Sequence, residues 1–181
     1  MRNLVSFLFM SLDGVVEAPH IYARPDVFED FSALIGQTIA EQDSVLLGRK
    51  QYQEWSAFWP VSDIQPFAGF INSVPKFIVS KTLSTADWHR STILSGPLDA
   101  EVARLKSSEG GTIGVHGSIS LIQSLLVAGL VDELRFIVCP AVAGSGRRLL
   151  PDGSTPIQLD LASAQSTPTG LQYLVYRPRK G

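Results

Sequence analysis

Apolar residues along this chain come in short runs bounded by turn residues, and stretches with helical spacing lie between them. Residues 4–10, Leu-Val-Ser-Phe-Leu-Phe-Met, form a near-continuous apolar run, as a strand buried on both faces requires. Asp26 is placed to cap a helix whose Val27, Phe28, Phe31, Leu34, Ile35 and Ile39 share one face. Residues 44–47 predict a strand closed by Gly48, with a helical turn over 49–55. Residues 58–70 contain Pro60 and Pro66 and are expected to form an irregular loop running toward 71–74. Strands are predicted at 76–80 and 91–95, followed by an amphipathic helix over 98–107 that Gly110-Gly111 breaks. A strand at 112–115 leads into a helix over 118–130 that buries Ile119, Leu121, Ile122, Leu125 and Leu126. Residues 134–140 give another strand, and 157–164 with 171–176 are expected to pair as a closing antiparallel hairpin.

Strands alternating with helices imply the α/β class, a three-layer αβα sandwich around a mostly parallel mixed sheet with a C-terminal antiparallel hairpin. No repeat, low-complexity tract or linker interrupts the pattern, so residues 1–181 are expected to form one domain.

Composition narrows the classes. Apolar residues are 45% and charged residues 18%, a balance incompatible with intrinsic disorder. So little charge implies apolar surface covered by a partner subunit or a larger core, and the two remain open. The net charge of −2, without a Lys/Arg run, excludes a nucleic-acid footprint. Cys139 is the one cysteine and sits in an apolar run, where a buried inert thiol is expected. Ser6 interrupts the first apolar stretch and Ser11-Leu12-Asp13-Gly14 follows it, so neither a leader nor a membrane span is expected, and a cytoplasmic location is.

Three strand ends carry groups suited to an anionic ligand. Gly114-Val115-His116-Gly117-Ser118-Ile119 passes from a buried strand through a small-residue turn to a helix start, where free amides and the helix dipole favour phosphate. An ordinary tight turn has the same appearance. Gly48-Arg49-Lys50 brings two cations to another helix start, where they oppose the dipole unless an anion lies between. Ser80-Lys81-Thr82 ends a third strand and could recognise the phosphate that distinguishes NADP from NAD. If the three strands are parallel, these tips converge at one sheet edge. The G-x-G-x-x-G fingerprint and the P-loop are absent, and His20, His89 and His116 are too scattered for a metal site. Asp13 is the candidate acid and substrate carboxyl, with a plain turn as its other reading. Phe28, Trp55 and Trp59 could stack on a flat heterocycle or pack in the core.

Six segments in order, Ser11–Gly14, Leu47–Arg49, Val79–Leu83, Gly114–Ser118, Leu125–Leu134 and Pro140–Gly146, resemble the dihydrofolate-reductase-like superfamily. The resemblance is to the C-terminal reductase domain of the riboflavin-biosynthesis deaminase–reductase and its stand-alone bacterial relatives. It implies a dihydrofolate-reductase-like fold, bound NADPH, and hydride transfer to a C=N or C=O group of a pterin-like, pyrimidine-like or other small substrate. By the same resemblance Gly48, Arg49 and Lys50 contact cofactor phosphates, and Ser80, Lys81 and Thr82 lie near the 2′-phosphate. Gly114, His116, Gly117, Ser118 and Ile119 form the pyrophosphate loop, Asp13 lies beside nicotinamide and substrate, and residues 130–139 pack in a homodimer. A non-catalytic NADP(H)-binding protein that keeps the fold is the alternative. Dihydrofolate reductases carry Gly-Gly with a cis peptide where this chain has His116-Gly117, and a carboxylate in the first helix, where this chain offers Asp26, Glu29 and Asp30.

Overall fold

The computed structural model describes residues 1–24 and 28–179, with the backbone alone described at 28 and 29. The Asp26 cap and Val27 therefore lie outside the described residues, as does the side chain of Phe28. In chain order the elements are β1 (Leu4–Ser11), α1 (Phe28–Ile39), β2 (Gln42–Gly48), α2 (Arg49–Phe58), α3 (Phe67–Ser73), β3 (Lys76–Val79) and β4 (Ser91–Leu94). They continue with α4 (Leu98–Ser107), β5 (Thr112–His116), α5 (Ile119–Val127), β6 (Glu133–Cys139), β7 (Leu159–Ser166) and β8 (Gln172–Pro178). One eight-stranded sheet runs β4-β3-β2-β5-β1-β6-β8-β7. Strands β1 to β6 pair in parallel, β8 is antiparallel to β6, and β7 is antiparallel to β8.

Side-chain alternation explains the three layers. In β2, Val45 and Leu47 join a core with Leu34 and Ile35 of α1 and Ile71 of α3, while Leu46 points to the other face. That second core holds Val102 and Leu105 of α4 and Ile122 and Leu125 of α5. Helix α5 stops at Val127 because Gly129 turns left-handed at φ 66. The Gly129 N–H then donates to Leu126 O and the Leu130 N–H to Leu125 O, satisfying carbonyls the helix leaves open.

One expectation changes. The stretch expected to be an irregular loop contains helix α3, which buries Phe67, Ala68 and Ile71 on one face. Pro60 and Pro66 read as breakers, yet Pro66 stands just before the helix instead of interrupting it. The buried Lys76 donates from Nζ to Ile71 O and Val74 O at 2.9 and 2.8 Å, tying the end of α3 to β3. Residues 133–139, within the stretch that the resemblance places in a homodimer, supply β6. This strand lies inside the sheet between β1 and β8, so Leu134, Phe136, Ile137 and Val138 are already covered by the chain itself.

Candidate functional site

Because β1 to β6 are parallel, their carboxyl ends share one sheet edge, the usual position of ligand clefts in such sheets. A cleft of about 900 Å³ opens there. Two strand-to-helix turns form its polar end. At the first, Gly48 is extended (φ −78, ψ 157) and gives α2 no side-chain cap. At the second, Gly117 is left-handed at φ 63, a conformation glycine adopts without strain. Ser118 Oγ accepts the Gly48 N–H at 3.0 Å and so joins the two turns. The first turns of α2 and α5 thus stand at one cleft, with the Ile119 N–H turned back to Gly117 O at 2.9 Å, and neither first turn holds an acidic residue. Arg49 and Lys50 are exposed at the start of α2 and form no ion pair with any described residue. Two unpaired cations on the positive end of a helix dipole are an arrangement that an anion would relieve.

A third cation was not foreseen. Arg147, from the loop after β6, lines the same cleft, donates from Nη2 to Ser120 Oγ at 2.9 Å and reaches Gln123 Oε1 at 3.5 Å. Its N–H donates to Glu17 Oε2, and its carbonyl accepts the Val16 N–H. The sequence signal was a cation following Gly144-Ser145-Gly146, a turn already singled out by resemblance.

Asp13 holds that loop. Its carboxylate accepts from the Ser11 hydroxyl at 2.7 Å and from the N–H groups of Ala143 and Gly144 at 2.8 and 2.9 Å. These bonds, the one from Ser11 foremost, pull its pKa down to about 2. Asp13 is not among the residues lining the cleft, and a carboxylate so held keeps no proton to donate near neutral pH. Asp13, expected as the acid, braces this loop. Asp30 is similarly engaged, accepting the N–H and hydroxyl of Thr169 at 3.1 and 2.5 Å in the turn before β8.

Two more expectations move inward. Gly114 is in the core, where an added Cβ would meet the Gln42 amide and lie 2.8 Å from His116 Nε2. It makes room for side chains and not for a ligand. His116 is 2% exposed, with Nε2 bonded to Gln42 Oε1 at 2.7 Å. Since the Gln42 Nε2 donates to Thr38 O, its oxygen faces His116, and the imidazole proton is on Nε2. Nδ1 is buried without a partner, and the ring sits among Phe7, Phe67 and Phe70. Desolvation, with Arg135 adding to it, lowers its pKa to about 3, so the imidazole is neutral. Among the described residues the one cis peptide is Gln65–Pro66, so the bond between His116 and Gly117 is trans.

Ser80, Lys81 and Thr82 follow β3, whose last residue Val79 lines the cleft, although these three do not. Ser80 Oγ accepts from the N–H groups of Thr82 and Leu83, leaving Lys81 exposed. Trp55 does line the cleft, edge-on to Trp59 at 5.7 Å and Phe67 at 5.4 Å. In the orientation of the Gln51 amide that satisfies both neighbours, its nitrogen donates to Gly117 O and its oxygen accepts the Trp55 indole N–H. Among the described residues no His, Cys, Asp or Glu grouping could hold a metal, and no helix is long and apolar enough to cross a membrane. Cys139 is buried and its thiol pushed up to about 11, an inert core group.

The sheet order and the cleft at its carboxyl edge define a dihydrofolate-reductase-like α/β domain. More narrowly, the chain belongs to the RibD C-terminal domain family, which matches residues 2–173. The uncharacterized protein YyaP of Bacillus subtilis (strain 168) is 27% identical over 185 residues, covering 97% of this chain and 94% of that one. The fold is also that of a putative riboflavin biosynthesis protein from Shewanella sp. PV-4, with a TM-score of 0.75, 20% identity, and coverage of 98% and 99%. Dihydrofolate reductase from Enterococcus faecalis, complexed with NADP(H), superposes with a TM-score of 0.63 at 11% identity, covering 98% and 97%.

Proposed function

We propose that the chain is an NADPH-dependent oxidoreductase acting on a small C=N or C=O compound of pterin-like, pyrimidine-like or related type. The observation that carries this is the junction of the α2 and α5 N-termini, with Arg49, Lys50 and Arg147 beside them, at one end of a cleft of about 900 Å³. Its other end is aromatic. That donor set fits the dinucleotide: cations and the positive ends of two helix dipoles for the pyrophosphate, and apolar rings for the nicotinamide end.

In this reading Gly48, Arg49 and Lys50, with Gly117, Ser118 and Ile119, hold the pyrophosphate, and Arg147 joins them from its bond to Ser120 at the start of α5. Lys81, with Ser80 and Thr82, stands at the next strand end for the 2′-phosphate. When bound, NADPH would supply a hydride to the acceptor carbon. The chain orients both ligands through the ring wall. Asp13 acts at a distance by keeping the Arg147 loop against the cleft. His116 stays neutral in the floor and adds no charge near the transferred hydride.

Calorimetric titration with NADPH and NADH tests the reading. The wild type is expected to prefer NADPH, and Lys81→Ala to reduce that preference about tenfold, the size of one charge-assisted contact. Equal affinity for both nucleotides in the wild type would contradict the 2′-phosphate assignment.

A further inference from the structure

The end of the cleft away from the two helix N-termini is walled by Phe9, Phe31, Ile35, Trp55, Trp59 and Phe67. These side chains interlock. Phe9 and Phe31 have ring centroids 4.9 Å apart, and Trp59 meets Phe67 at 4.8 Å. The Trp55 indole N–H is taken by Gln51, while the Trp59 Nε1 is buried without a partner.

Two carboxylates among the described residues nearby are committed elsewhere. Asp30, on the same helix as Phe31, is spent on Thr169, and Asp13 on Ala143 and Gly144. The cations lining the cleft are Arg49 and Lys50 at the start of α2, and Arg147, held by Ser120 at the start of α5. A phosphate on the second ligand would therefore meet aromatic carbon, where an unpaired charge loses its hydration without compensation. A pteridine ring needs acceptors for its ring N–H groups; Asp30 and Asp13 are taken, Glu17 accepts the Arg147 N–H, and Glu54, which also lines the cleft, is exposed to solvent.

We propose that this end accepts a flat, uncharged, largely apolar ring compound bearing a conjugated carbonyl, of the quinone or aryl-ketone type, in preference to a phosphoribosyl-pyrimidine or a pteridine. The inference rests on the cofactor reading above and narrows its substrate class. Its warrant is the match of apolar area and ring geometry, since offset or edge-on contacts with rings favour flat aromatic ligands.

Binding, measured apart from turnover, tests it. The protein is first titrated with NADP⁺ in a calorimeter, then, at saturation, with menadione, dihydrofolate or a phosphoribosylaminouracil. Menadione is expected to bind at least tenfold more tightly than either of the others. Phe31→Ala is expected to weaken menadione about tenfold and NADP⁺, whose phosphates stay on α2 and α5, by less than that. Phe31→Leu, which keeps apolar volume but loses the ring, should show a smaller loss in the same direction and guards against a misfolded variant. Tighter binding of dihydrofolate or the phosphorylated ligand, or menadione affinity unchanged in both variants, would overturn the substrate class while leaving the cofactor reading intact. Failure of NADP⁺ to bind in the first titration would overturn both.

Discussion

Acidification should strike this fold first at His116. The ring is 2% exposed, donates from Nε2 to Gln42, and has no partner for Nδ1. Protonation would put a second N–H, and a charge, among Phe7, Phe67 and Phe70 with nothing to receive either. The folded pKa is lowered to about 3 from an ordinary 6.5, so between those values the unfolded chain binds the proton and the folded chain does not. Stability is therefore intact above about pH 6.5 and falls as the pH drops through the window toward 3. At about 1.4 kcal/mol per pH unit, the loss reaches roughly 3 kcal/mol by pH 4. That is a large part of the 5–15 kcal/mol typical of a whole domain. The comparison needs a variant that keeps the bond to Gln42 but cannot ionise, and His116→Gln supplies an amide donor for it. Urea unfolding followed by circular dichroism, at steps from pH 7 to pH 4, reads the difference. Carboxylates titrate in both proteins and cancel, so the wild type should lose about 3 kcal/mol more than H116Q over that range. Equal losses in the two proteins would refute the assignment of His116 as a neutral core group.

Three further outcomes follow from the packing. Gly114→Ala drives a methyl into the Gln42–His116 pair and should cost about 1–3 kcal/mol in urea unfolding, the usual penalty of overpacking. Lys76→Met strands the Ile71 and Val74 carbonyls and should cost about 1–3 kcal/mol by the same measurement. Asp13→Ala frees the amides of Ala143 and Gly144, so limited proteolysis should cut between residues 140 and 150 faster than in wild type, with the thermal midpoint of the sheet core little changed.

Features local in sequence were legible. The apolar run of β1, the Gly48-Arg49-Lys50 helix start and the Gly117-Ser118 turn each carry their signal within a few residues. Helix α3 was hidden because Pro60 and Pro66 read as loop residues, although its buried face repeats at helical spacing. What depended on distant partners was not readable. Gly114 looks like a ligand-approach glycine until Gln42, brought alongside by the pairing of β2 and β5, is seen to fill the space. Asp13 looks like a cleft acid until the chain returns at Ala143 to claim both oxygens. Arg147 became visible only through the same closure, which lays it on Ser120.

The central claim is that the joined starts of α2 and α5 bind the phosphates of NADPH. Calorimetric titration of wild type and the Arg49→Ala/Lys50→Ala double variant with NADPH, at low and at raised salt, tests it most directly. The account predicts saturable wild-type binding that weakens with salt, and a loss of at least tenfold in the double variant, whose own salt dependence is shallower. Unchanged affinity and an unchanged salt response in the double variant would contradict it.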